Sequence, residues 1–361
     1  MVLCLLRLWG KDDRHLLPPA RTVYSTDGML FKGQKLGKYK ILASLGSGGF
    51  GAVYLARDTW IDKDVAIKVP HKQHQSFGDL LREPRLLASV NHPNIVSITT
   101  AEKQDDLFFI VMEYVKGETL ETILMRDGAL ELRRALDYAV QICNAVDHAH
   151  RQGVLHRDLR PANVLVSDNG VLKVADFGTS RFLEIAAHGT TVIGSPAYMA
   201  PEQFQGKAVF ASDLYSLGVT MYQMLIGELP YDPPTPASWH KLLDSSLLRS
   251  PHVKNPAVPK RLGEIVMRAL APEVTERYQR AADLIEDLLA TRPLVLGQTP
   301  ARVDDVAAAR PAGRGGPSLE RANIQRRLHE RAEAPVSRTC WHCGKPLHVR
   351  AGRCPFCGEA Q

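Results

Sequence analysis

The sequence predicts an α+β protein, a small antiparallel β lobe followed by a larger helical lobe, and two observations carry that expectation. Between residues 39 and 115, short runs rich in Val, Ile, Tyr and Phe are broken by Gly, Asp and Pro, as strands joined by turns are. After Gly117, apolar residues recur at three- and four-residue spacing over long stretches, which is the helical period. A third feature, two CxxC pairs close to the C-terminus, predicts a separate small module.

The strand runs are YKILASLG, AVYLARD, DVAIKVP and LFFIVMEYV, and one amphipathic stretch among them, DLLREPRLLASV, reads as a helix inside the sheet region. Helical patterns follow in TLETILMR and in ELRRALDYAVQICNAVDHAHRQG, which Gly153 stops. They continue through LYSLGVTMYQMLIG, PKRLGEIVMRALA and AADLIEDLLA as far as Thr291. The expected organisation is therefore an N-terminal extension without its own fold (1–38), a globular domain (39–291, its lobes 39–115 and 116–291), a linker rich in Ala, Arg, Pro and Gly (292–338) and the cysteine module (339–361). Residues 1–28 read as a translated leader ahead of a second start at Met29.

With 45% hydrophobic and 23% charged residues, composition excludes a fibrous or wholly disordered chain. No run of 18 apolar residues occurs, so no bilayer-crossing helix is expected, and the opening MVLCLLRLWG lacks the cleavage site of a signal peptide; a cytoplasmic location is expected. The net charge of +6 lies in the tail, where twelve Lys or Arg after residue 291 face six Asp or Glu. Such a tail attracts nucleic acid through phosphate contacts, but Arg scattered in a Pro/Ala/Gly linker is more often solubilising, so nucleic acid is the lesser expectation.

Residues 46–53 read GSGGFGAV between two strand patterns, a context that excludes the strand-to-helix dinucleotide fingerprint. Glycines in a hairpin usually serve the turn alone; the motifs that follow give these more to do. VAIK ends in Lys68, and Glu83 lies on the next helix. HRDLRPAN occupies 156–163, DFG 176–178 and APE 200–202. In this order and spacing the motifs resemble those of the protein kinase family, over residues 39–291, and the resemblance is to bacterial Ser/Thr kinases of the eukaryotic-like type.

The resemblance implies a two-lobed kinase fold that transfers the γ-phosphate of ATP to protein hydroxyls, a reaction that needs positioning and charge neutralisation more than covalent chemistry. It implies that Gly46, Ser47, Gly48, Gly49, Phe50 and Gly51 lie over the ATP phosphates. Lys68, paired with Glu83, would hold the α- and β-phosphates, and Asn163 and Asp176 would hold Mg²⁺ or Mn²⁺. Asp158 would accept the substrate proton. Val53, Ala66 and Leu165 would enclose the adenine, with Met112 behind it and the backbones of Glu113 and Val115 beside it, although core packing explains such apolar positions equally well. Glu202 would pair with Arg277, and Asp213 would anchor the catalytic loop.

Two positions depart from the family pattern. Arg160 stands where Lys is usual, and a planar fork is not a point charge. Pro84 directly follows Glu83, so the helix is expected to kink or start late, with the Lys68–Glu83 pair formed only in an activated state. Thr190 and Thr191 are the expected autophosphorylation sites, with Arg157 and Arg181 as the cations that would receive the phosphate. Cys340, Cys343, Cys354 and Cys357, as CWHC and CPFCG, have the form of a zinc ribbon with structural Zn²⁺; disulfides or a redox pair are the alternatives. A ribbon this small would recognise an unidentified protein partner rather than do chemistry. Cys143 is expected in the core. The competing functional class is a pseudokinase, a nucleotide-binding docking module that works through the ribbon.

Overall fold

The structure, a computed structural model, describes residues 30–48, 51–71, 81, 84, 90–177, 195–235, 238–244 and 248–297, and the backbone of 338–339 and 346–347. The first lobe is a six-stranded antiparallel sheet of β1 (Lys35–Leu36), β2 (Tyr39–Gly48), β3 (Gly51–Asp58), β4 (Lys63–Pro70), β5 (Ile98–Gln104) and β6 (Leu107–Glu113), in the spatial order β1-β2-β3-β4-β6-β5. The four strands read from the sequence form its centre. The two additions, β1 and β5, are its edges; β5 reads ITTAEKQ, and its polar side chains hide the strand from a search for apolar runs.

Strand alternation gives this sheet two different faces. Tyr54, Ala56, Ile67, Val69, Phe109 and Val111 pack with Leu36, Tyr39 and Ile41 into a core on one face. The residues between them, Val53, Ala66, Lys68 and Met112, share the other face, because Val53 pairs with Lys68 and Ala66 with Met112 in the ladder. That second face also carries Phe108 and Ile110, both buried, and it bears the Lys68 of the candidate site.

The helical lobe opens at a small sheet of β7 (Gly117–Thr119), β8 (Val164–Ser167) and β9 (Leu172–Val174). Gly117 has φ +155°, and a Cβ there would fall 2.0 Å from the Val166 carbonyl oxygen, so glycine is required where the chain passes between lobes. Helix α1 (Leu120–Asp127) starts at Thr119, whose hydroxyl accepts from the Thr122 N–H. Helix α2 (Leu132–Arg151) is capped by the Glu131 carboxylate and ends before Gly153, as its sequence pattern predicts. Helix α3 (Phe210–Ile226) is apolar nearly all round and almost wholly buried, the signature of a helix inside a core. Each of Leu214, Leu217, Met221 and Met224 contributes about 1.5–3 kcal/mol by leaving water.

Against α3 pack α2, α4 (Pro251–Lys254) and α5 (Lys260–Ala269), while α6 (Ala281–Ala290) and α7 (Arg292–Val295) pack on α2. Cys143 of α2 is fully buried, its thiol donating to the Ala281 carbonyl at 3.4 Å, and burial pushes its pKa up, so it is a core group and not a reactive one. Among the described residues no helix is long and apolar enough to cross a membrane. The C-terminal unit (301–361) is described only at an antiparallel pair, β10 (Arg338–Thr339) with β11 (Pro346–Leu347), in the register Arg338↔Leu347. Its four cysteines lie outside the described residues.

Candidate active site

The hairpin of β2 and β3 narrows through the pairs Gly46↔Val53, Ser47↔Ala52 and Gly48↔Gly51. Its tip, Gly49 and Phe50, lies outside the described residues. A Cβ built on Gly46 or Gly48 would meet nothing within 4 Å, so these glycines are not there to make room for protein atoms. What they leave open is bare backbone over the face that carries Lys68, an arrangement suited to a phosphate chain.

Lys68 is nearly buried, and its Nζ lies 2.6 Å from Asp176 Oδ1. Burial pushes the Asp176 carboxyl up, but the charge and hydrogen bond of Lys68, helped by His156, outweigh it and hold the pKa below the usual carboxylate range. Asp176 therefore stays ionised. Its φ is +59° and that of Arg157 is +69°, sparsely populated for residues with a Cβ and costing about 1–3 kcal/mol each, so the surroundings must fix them. Glu83 lies outside the described residues. Pro84 is helical and buried, while the helix on either side of it, where a kink is expected, lies outside the described residues.

The loop 156–163 is held from below. Asp213, in the first turn of α3, accepts the backbone N–H groups of His156 and Arg157, both at 2.8 Å, and its Oδ2 lies 2.8 Å from His150 Nε2. Burial would raise the pKa of this fully buried carboxyl, yet the His150 hydrogen bond and the nearby imidazole charges hold it low. The expected anchoring of the loop is thus formed. His156 is itself buried, its Nε2 2.9 Å from the Ala175 carbonyl oxygen and its ring 4.5 Å from that of Phe177, which locks the segment entering Asp176 against the loop.

At the top of the loop, the Asn163 amide donates to the Asp158 carbonyl oxygen at 2.7 Å and to its Oδ2 at 3.0 Å, while the Ser195 N–H reaches Asp158 Oδ1 at 3.3 Å. Both carboxylate oxygens of Asp158 are oriented by neighbours. The Ala175 N–H donates to the Asn163 carbonyl oxygen at 2.8 Å, which sets Asn163 beside the segment bearing Asp176. Their side chains offer hard oxygen donors on adjacent stretches of chain, a donor set that fits Mg²⁺.

The β8 residue Leu165 is half-buried, as are Val53 and Met112. The Glu113 N–H is taken by the Ser97 carbonyl oxygen at 2.9 Å, while its carboxylate meets Lys173 at 3.0 Å and the Ser97 hydroxyl at 3.2 Å. Its side chain is thereby committed away from the cleft. Among the described residues no backbone hydrogen bond takes the N–H or C=O of Val115. Half-buried apolar side chains and open backbone groups of this kind suit a flat heteroaromatic ring with edge donors and acceptors.

Glu202 and Arg277 form a bidentate pair at 2.7 and 2.9 Å, and Gln203 ties Ala200 to the Arg157 carbonyl oxygen. Arg160 points to Glu121 at 3.8 Å. Sequence reasoning missed Glu121, Lys173, His150 and Gln203, because a charged or amide residue on a helix or strand surface carries no local sign of a partner far along the chain. Thr190, Thr191 and Arg181 lie outside the described residues.

Comparison with known proteins agrees with this geometry. Residues 39–294 match the family model for the protein kinase domain. The chain is 37% identical over 261 residues to the serine/threonine-protein kinase PrkC of Bacillus subtilis, an alignment covering 70% of this chain and 40% of that protein. It is 35% identical over 311 residues to the serine/threonine-protein kinase PknB of Mycolicibacterium smegmatis, covering 80% of this chain and 49% of the relative. To the PknB of Mycobacterium tuberculosis it is 35% identical over 267 residues, covering 70% and 42%. The chain thus spans between two fifths and one half of the length of these relatives. With the lysine–aspartate pair, the anchored loop and the glycine hairpin all inside the matched region, the chain belongs to the protein kinase family.

Proposed function

We propose that this chain is a protein-serine/threonine kinase that uses ATP with Mg²⁺ or Mn²⁺. The observation that carries the reading is Asp158, oriented on both carboxylate oxygens beside the Lys68–Asp176 pair. In the reaction a substrate hydroxyl oxygen bonds to the γ-phosphorus as the bond from phosphorus to the ADP oxygen breaks, and Asp158 takes the hydroxyl proton. A divalent ion bound by Asn163 and Asp176 supplies charge neutralisation. Gly46, Ser47, Gly48, Gly49, Phe50 and Gly51 cover the phosphates, and Lys68, with Glu83 as its partner, orients them. Arg160 is the cation for the γ-phosphate. Val53, Ala66 and Leu165 hold the adenine, with edge contacts from the Glu113 and Val115 backbones. ATP as donor makes the cytoplasm the place of reaction.

We further propose activation by autophosphorylation at Thr190 or Thr191, the phosphate being received by Arg157 and Arg181. Incubation of the full chain with labelled ATP and Mg²⁺, followed by phosphosite mapping, tests both statements. Label on those threonines is expected; label only elsewhere overturns the activation site, and absence of label with ATP binding retained supports the docking-module reading instead.

The tail is proposed to bind one structural Zn²⁺ through Cys340, Cys343, Cys354 and Cys357 and to recruit a protein partner. Metal analysis of the full chain is expected to find zinc that a strong chelator removes, with four thiols becoming reactive as it leaves. Metal-free protein whose four cysteines stay unreactive until a reductant is added would show disulfides.

A further inference from the structure

Arg160 stands where the motif usually has Lys, and the structure shows what its different shape reaches. Its backbone is extended (φ −160°, ψ 163°) as it leads into the tight turn Pro161–Asn163, and its half-buried side chain leaves the catalytic loop toward α1. There Nη1 lies 3.8 Å from Glu121 Oε1. Glu121 sits in the first turn of α1, two residues after the Thr119 cap, where the helix N-terminus favours a carboxylate. Tyr198 lies in the field of both groups: burial pushes its phenol up to about 12, Glu121 adding to the rise and Arg160 opposing it. The Tyr198 hydroxyl donates to Gln223 at 2.7 Å, which leaves the carboxylate to the guanidinium.

As a stability element such a half-exposed pair counts for little. Orientation is another matter. An ammonium is a point charge with three rotatable donors and needs no aiming, whereas a guanidinium presents donors in one plane and is effective only when that plane is set.

We propose that Glu121 is a positioning residue for phosphoryl transfer, the charge of its carboxylate drawing the Arg160 guanidinium to one side so that its donors are oriented for the γ-phosphate. The proposal rests on Arg160 being the γ-phosphate cation. It also explains why Arg serves here: one side chain must face a carboxylate and a phosphate together, which five donors in a fork allow.

The test compares Glu121→Gln in two backgrounds, parent and Arg160→Lys, with two readouts on the full chain. One is kcat on a protein substrate. The other is the ratio of dissociation constants for ADP and a non-hydrolysable ATP analogue, which reports the γ-phosphate contact without turnover. In the parent background Glu121→Gln is expected to lower kcat about fivefold and shrink the affinity ratio about threefold, with the melting temperature unchanged. In the Arg160→Lys background it is expected to change neither. Equal proportional losses in both backgrounds, or no loss in the parent, would overturn the proposal. Arg160→Ala separates the two layers: if it leaves kcat and the ratio intact, the reading of Arg160 itself fails, and if it impairs both while Glu121→Gln is silent, only the positioning role fails.

Discussion

Asp158→Asn is expected to lower kcat by about 10²–10⁴-fold while leaving ATP affinity within about twofold of the parent. The substitution keeps size and shape and removes two things. One is the basic oxygen proposed to take the substrate proton. The other is half of the hydrogen-bond pattern, since Asp158 now accepts from the Asn163 amide on one oxygen and from the Ser195 N–H on the other. An asparagine has a single acceptor oxygen. If it keeps the Ser195 contact, its NH₂ faces the NH₂ of Asn163, and one of the two must turn. The loss therefore combines missing chemistry with a disturbed Asn163, the neighbour proposed to hold the metal. Single-turnover kinetics with equilibrium nucleotide binding separate these: a fall in the chemical step with unchanged binding identifies the base, and a rate within tenfold of the parent removes Asp158 from that role.

The proposed catalytic residues are legible in the sequence to the extent that they are written in contiguous motifs. Lys68, Asp158, Asn163 and Asp176 stand in the short words VAIK, HRDLRPAN and DFG, and the fold brings the last three together, Asp158 and Asn163 on one loop and Asp176 on the segment that follows β9. The central strands were equally legible, because a sheet face that packs a core must repeat apolar residues at a spacing of two. What escaped notice depends on contacts across long stretches of chain. The edge strand β5 is polar because one of its sides has no partner strand, so it lacks the apolar run. Glu121 meets Arg160 only because α1 and the catalytic loop converge, and Lys173 finds Glu113 only because β9 runs beneath the segment joining the lobes. Long-range ion pairs of this kind have no spacing to recognise. The Glu202–Arg277 pair, 75 residues apart, was legible through family resemblance, and the structure forms it.

That pair is also the site of the largest expected loss of stability. Arg277 is 1% exposed, and its guanidinium makes four hydrogen bonds: Nη1 and Nη2 hold both Glu202 oxygens, Nε donates to the Ala271 carbonyl and Nη2 also to that of Pro272, both at 2.6 Å. The Tyr215 ring lies 4.8 Å from the guanidinium carbon. Arg277→Met keeps the volume and removes every donor. It leaves a nearly buried carboxylate whose remaining side-chain partner is the Ser212 hydroxyl at 2.5 Å, and two carbonyls without their donor. Breaking a buried pair from one side costs about 3–5 kcal/mol, a large share of the about 5–15 kcal/mol that holds a domain folded. Urea unfolding of Arg277→Met is expected to show that loss. Removing both charges, Glu202→Leu with Arg277→Met, is expected to recover part of it, because no lone charge then stays buried. A single variant within about 1 kcal/mol of the parent would mean that water reaches the carboxylate and the pair is not a structural tie. The expected loss extends to function through a short path: Gln203, next to Glu202, bonds both the Ala200 N–H and the Arg157 carbonyl oxygen, and Arg157 precedes Asp158. Loosening Glu202 therefore loosens the side of the cleft from which Ser195 orients the base, so kcat is expected to fall before the domain unfolds.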